Sequence, residues 1–84
     1  MEEKPVGKIS HFFNKISVGI IELSDQLKAG DKIHIKGQTT DFEQEVASMQ
    51  VEHQEVPEAK KGDSVGIKMD QPVREHDQVF KVVE

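Results

Sequence analysis

Four histidines, His11, His34, His53 and His76, are the residues of this 84-residue chain best suited to metal or proton chemistry. Zinc-type sites place such side chains at short fixed spacings, as in His-x-His or His-Glu-x-x-His. None of the four falls in such a motif, and they scatter over different segments. They are expected as surface histidines, with no metal and no cofactor. The carboxylates Glu43, Glu45, Glu52, Glu55 and Glu58 cluster along one stretch. A glycosidase-type pair needs facing carboxyls in a cleft, and so short a chain has little material for one. Asp31, Asp63 and Asp77 lack the spacing of a calcium-binding EF-hand loop and read as turn caps. No Gly-x-x-x-x-Gly-Lys-Ser/Thr phosphate loop occurs. The expectation is a chain that is not an enzyme.

Two groups remain as candidate partner-binding residues. Ser48, Met49 and Gln50 fall where a bulge is expected, and bulges re-aim side chains beside functional surfaces. Methionine suits adaptable contacts; alternatively Met49 fills the core at a corner. Lys60 and Lys61, with Lys68 and Arg74, form the local basic set that can touch phosphate or an acidic partner, or simply a solvated loop.

Composition narrows the partner. Eleven basic against 16 acidic residues give a net charge of −5. Counterion release from phosphates supplies most nucleic-acid affinity, so the acidic excess disfavours direct RNA contact. Four Phe and no Tyr or Trp leave little for a base-stacking platform. There is no cysteine, hence no disulfide. No apolar run approaches the roughly 18 residues of a membrane span, and the chain opens on charged residues, Met1-Glu2-Glu3-Lys4. A cytoplasmic location, away from membranes, is expected.

The elements that must position these residues are strands. Gly30-Asp31, Gly62-Asp63 and His76-Asp77 each precede apolar residues at every second place. Glycine takes a positive φ freely and aspartate bonds nearby N–H groups, so each pair reads as a turn launching a strand. Residues 4–13 form a first strand whose apolar residues Val6, Ile9, Phe12 and Phe13 do not alternate, which predicts a bulge near Gly7. Residues 17–23 form the second, with Gly19, Ile21 and Leu23 inward and Val18, Ile20 and Glu22 outward. Leu27 plugs the core from a loop. Residues 31–36 turn Ile33 and Ile35 inward. Residues 42–52 read as one long strand with a bulge at Ala47-Ser48. Val56 anchors a connection in which residues 58–61 make a short helical turn. Residues 64–69 turn Val65, Ile67 and Met69 inward, and residues 78–83 close the chain. Six short strands with Gly/Asp turns predict an all-β fold, a small closed or nearly closed barrel, in one domain over residues 1–84 with residues 1–4 as a flexible lead-in.

These residues also carry a family resemblance. The run Val6-Gly7-Lys8-Ile9, then Gly19-Ile20-Ile21-Glu22-Leu23, then Leu27-Lys28-Ala29-Gly30-Asp31-Lys32-Ile33, resembles the second domain of translational GTPases such as elongation factor Tu. So do Val46-Ala47-Ser48-Met49-Gln50, Val56, Ala59, Gly62-Asp63, Val65-Gly66-Ile67 and Val73-Arg74. The resemblance covers nearly the whole chain and implies a six-stranded β-barrel. It looks closest to small stand-alone translation elongation factor-like proteins, and is similar to C-terminal barrels appended to some peptidase-like RNA-modification enzymes. Ser48 stands where elongation factor Tu has a glutamate beside the methionine matched by Met49, so its tRNA-end pocket is not carried over. The resemblance, together with the missing catalytic constellation, implies a non-catalytic binding module. Its expected partner is a protein or ribonucleoprotein, such as translation machinery or an RNA-modifying enzyme. The alternatives are direct tRNA or rRNA binding through the loop lysines, and a small hydrolytic or ligand-binding domain.

Overall fold

The computed structural model describes residues 2–52 and 54–83; His53 lies outside them. Ten strands succeed one another, and no helix is present among the described residues. They are β1 (Glu2–Phe13), β2 (Val18–Leu23), β3 (Leu27–Lys28), β4 (Lys32–Lys36), β5 (Asp41–Glu45), β6 (Met49–Val51), β7 (Gln54–Val56), β8 (Glu58–Ala59), β9 (Ser64–Lys68) and β10 (Gln78–Val83). Eight of them form one antiparallel sheet in the order β5-β4-β10-β1-β2-β9-β6-β7, and β3 pairs with β8. The all-β class is as expected, but the architecture is not six strands around a closed ladder. β5 and β7 are the two ends of the ladder. No helix among the described residues is long and apolar enough to cross a membrane.

Strand parity explains the core. Ile21 and Leu23 of β2, Ile33 and Ile35 of β4, and Val65 and Ile67 of β9 are buried at alternate positions. β1 departs from alternation because it is irregular twice. Its register shifts against β10 between Pro5 and Gly7, and against β2 between Ile9 and His11. Val6 and Ile9, three apart, are thereby both fully buried. Gly7 allows the first irregularity, because a Cβ there would lie 2.5 Å from the Glu22 carbonyl oxygen. Residues 2–4, expected as a lead-in, pair with Val83, Val82 and Lys81.

Three turns organise the rest. Lys28-Ala29-Gly30-Asp31, Lys60-Lys61-Gly62-Asp63 and Arg74-Glu75-His76-Asp77 share one geometry. The third residue has φ of +92°, +94° and +74° respectively. The aspartate Oδ2 accepts the main-chain N–H of the first residue at 2.8, 3.1 and 2.9 Å. The aspartate N–H donates back to the first residue's carbonyl at 3.1, 3.0 and 3.2 Å. Each turn then grips one buried apolar residue by two reciprocal backbone bonds. Gly30 N–H donates to the Val46 carbonyl at 2.7 Å, and Val46 N–H to that of Asp31 at 2.8 Å. Gly62 and Asp63 hold Leu23 in the same way at 3.0 and 2.9 Å, and His76 and Asp77 hold Ile9 at 2.8 and 2.7 Å.

These clamps correct two expectations. The long strand over residues 42–52 is really two strands with different partners: β5 pairs with β4, and β6 with β9 and β7. The chain leaves the first ladder at Val46 because the turn at Gly30-Asp31 takes its N–H and carbonyl. Residues 58–61 make no helical turn. Glu58 and Ala59 pair with Lys28 and Leu27 instead, and Leu27 and Ala59 are both buried.

At Gly62 an added Cβ would meet nothing within 4 Å, so only the backbone conformation demands glycine. Gly62→Ala is expected to cost about 1 kcal/mol, and His76→Gly to gain a similar amount. Urea denaturation of the two variants measures both, and unchanged stability in both would contradict equivalent turns.

Candidate docking surface

The outer face of the sheet carries an apolar groove at the tip of the β1–β2 hairpin. Ile20 of β2, Gly66 of β9 and Gln50 of β6 lie side by side across the ladder. Val18 extends the row, while Phe13 and Ile16 rise from the hairpin, 46% and 60% exposed. The groove encloses about 340 Å³. Gly66 keeps its floor low, since a Cβ there would contact the Ile20 and Val18 side chains at 3.4 Å. Ser17 at the turn adopts φ +57°, and its carbonyl accepts the Met69 N–H at 2.6 Å. The hairpin tip is thus tied to the end of β9. His11 meets Phe13 edge-on at a ring separation of 4.5 Å, which helps hold the phenyl ring. Large exposed apolar side chains gathered beside a glycine floor suit contact with another protein surface.

The candidate residues read from the sequence divide. Gln50 lines this groove. Met49, its neighbour, is fully buried and faces the core, and Ser48 is exposed in the link before β6. Lys60 and Lys61 stand before β9 and Lys68 ends it, so the strand separates the pair from Lys68. Arg74 lies in the third turn, beside Phe12 and Thr40. The four cations form no single patch through β9. Sequence reasoning misses Ile16 and Phe13 as surface residues; a turn isoleucine flanked by polar residues is the available signal.

A second cluster lies on the β4 side. His34 is 14% exposed, with Nδ1 2.7 Å from a Glu3 carboxylate oxygen and Nε2 2.5 Å from one of Asp41. Glu3 belongs to β1 and Asp41 to β5, so the imidazole on β4 links to its neighbour β5 and, across β10, to β1. Hydrogen bonding to Asp41 raises the His34 pKa above its ordinary 6.5; partial burial opposes this and Glu3 adds to it. The same bond lowers the Asp41 pKa. Glu3, His34 and Glu43 bring possible ligand atoms within 4.8 Å of one another. Glu43, however, already meets the Lys32 ammonium at 3.1 Å, and both ring nitrogens of His34 face carboxylates. The cluster therefore reads as an ion-paired clasp with a protonated imidazole.

Comparison with known proteins gives the fold. No protein-family model matches the chain. A protein of Methanocaldococcus jannaschii named as an uncharacterised protease is 46% identical over 80 residues, covering 94% of this chain and 20% of that protein. The chain thus spans about a fifth of that relative's length. The C-terminal domain of a putative U32 peptidase from Geobacillus thermoleovorans superimposes with a TM-score of 0.89 at 16% identity, over 95% of this chain and 93% of that domain. Its selenomethionine variant gives 0.86 at 15% identity, over 90% and 96%. The fold is therefore that of a domain found at the C-terminus of a peptidase-type protein. These names overturn the expected identity as a translation elongation factor-like module and the translation-linked binding function drawn from it. Only the similarity to C-terminal barrels of peptidase-like enzymes agrees with them.

The His34 clasp has a defined pH signature. Because the folded-state pKa is raised, its stabilisation is fully present below about 6.5, the unfolded value, and is lost as pH rises through the folded value. Urea midpoints are expected to fall across that window, and His34→Gln to remove the dependence. A midpoint unchanged by the substitution at every pH would contradict the clasp.

Proposed function

We propose that this chain is a non-catalytic accessory domain that docks on the catalytic body of a peptidase-type protein through the Phe13–Ile16–Ile20 groove. The observation that carries the proposal is the match to a protein named as a protease, of which a domain like this forms only a fifth. The remaining four fifths supply a body large enough to hold catalytic machinery and a surface for the domain to rest on. The exposed apolar side chains at the hairpin tip are the part of this domain whose burial would stabilise such a contact most, at roughly 25 cal/mol per Å². The partner is thus a protein surface with an apolar centre.

The domain would act as a rigid body, and we infer that it is closed as a barrel through a side chain. Gln44 of β5 is buried. Its Nε2 donates to the Lys68 carbonyl at 2.8 Å and its Oε1 accepts the Asp70 N–H at 2.8 Å. The amide stands in for the backbone pairing that would join β5 to the end of β9. Slow hydrogen exchange at the Asp70 amide is expected, and rapid exchange would mean an open seam.

Docking is tested with the M. jannaschii protein lacking its matching 80 residues. Calorimetric titration with this chain should give saturable binding, weakened about tenfold or more by Ile16→Glu or Ile20→Glu. Absence of binding, or equal binding by both variants, would count against the groove.

A further inference from the structure

The third turn breaks a rule that the other two obey. At Gly30 and Gly62 an added Cβ would meet nothing within 4 Å, so side chains would fit there, yet both positions are glycine. At the equivalent place His76 holds φ +74°, a conformation that costs any residue with a Cβ. A residue that departs from the local optimum in this way points to a use for its side chain. His76 lies on the rim of a cleft of about 500 Å³ on the outer face of β10, β1 and β2.

The chemistry of that cleft is specific. Lys8, Ser24, His76 and Gln78 bring an ammonium, a hydroxyl, an imidazole and an amide to it, with Glu22 beside them. Lys8 sits directly between Gln78 and Glu22 in the strand register. Among the described residues, none of these five side chains makes an ion pair or a side-chain hydrogen bond. By contrast, His34, Lys4 and Lys32 are all paired. Phe80, half-buried, supplies an apolar wall. The irregularity at Pro5 and Gly7 bares the floor, where Gly7 presents no side chain.

We propose that this cleft binds the free carboxylate of a polypeptide C-terminus. Lys8 and His76 meet the carboxylate, Gln78 and Ser24 donate to its oxygens, Glu22 accepts a peptide N–H, and Phe80 packs against the terminal side chain. An ionised acceptor facing several donors forms the stronger class of hydrogen bond, and a peptide end supplies the apolar body that a bare anion lacks. The site is separate from the hairpin groove and does not depend on docking there.

The isolated chain tests the proposal. Acetyl-Ala-Ala-Phe with a free carboxylate is titrated into it and followed by amide chemical shifts, beside the same peptide as its C-terminal amide and beside sodium acetate. The free acid should bind saturably, shifting the amides of residues 8, 24, 76 and 78, with the amide form and acetate each weaker by about tenfold or more. His76→Gly, which should fold at least as stably, and Lys8→Met should each weaken the free acid about tenfold. Equal binding of acid and amide forms, or of wild type and both variants, overturns the proposal, as does no saturable binding of the acid. Acetate binding as tightly as the peptide would place the specificity in any small carboxylate and overturn the peptide assignment.

Discussion

The structure depends on one repeated constraint. A turn with a positive φ, locked by an aspartate, presents an N–H and a carbonyl to the backbone of one buried apolar residue. Val46, Leu23 and Ile9 are the residues gripped. Each lies where a strand must leave or bend, so that its ladder partners no longer cover its polar groups. Unpaired, a buried N–H or carbonyl costs roughly 1–3 kcal/mol; clamped, the chain can change direction without that loss. The third clamp also reaches the β4–β5 hairpin. A Cβ at Gly37 would overlap the Asp77 carboxylate, so that glycine lets the turn and hairpin close together.

The clamps also place the two proposed binding surfaces. The one at Ile9 sits between the two irregularities of β1, which turn Lys8 outward beside Glu22 and Gln78. The one at Leu23 fixes the register of β2 against β9, which sets Ile20 beside Gly66 and leaves the hairpin tip projecting. The one at Val46 diverts the chain from β5 into β6, bringing Gln50 to the groove. Both proposals rest on sites and not on the fold: one is an apolar face, the other a cleft of unpaired polar groups.

Much of this is legible in the sequence because local pattern and local structure agree. The alternation in β2, β4 and β9 marks the buried faces, and the Gly-Asp pairs mark the turns. What sequence reasoning misses is non-local. Nothing within residues 42–52 says that a turn at Gly30 will capture Val46. The two-residue strands Leu27–Lys28 and Glu58–Ala59 are too short to show a period. His34 joins Glu3, 31 residues away, and Asp41, and a cluster spread over three strands leaves no motif. The groove is half visible, since Val18 and Ile20 read as outward, but only the fold shows Phe13 and Ile16 gathered beside them. The resemblance to a translation factor barrel rests on the same turns and alternation, which encode a way of launching strands and not a partner.

Native-state hydrogen exchange tests the clamps most directly. The amides of Ile9, Leu23, Val46, Gly30, Gly62 and His76 all donate in the gripping bonds. If the clamps hold the fold together, all six belong to the slowest class and exchange only by global unfolding, although three of them lie in surface turns. Fast exchange at Gly30, Gly62 and His76, with the strands beside them still protected, would show that the turns merely decorate the sheet.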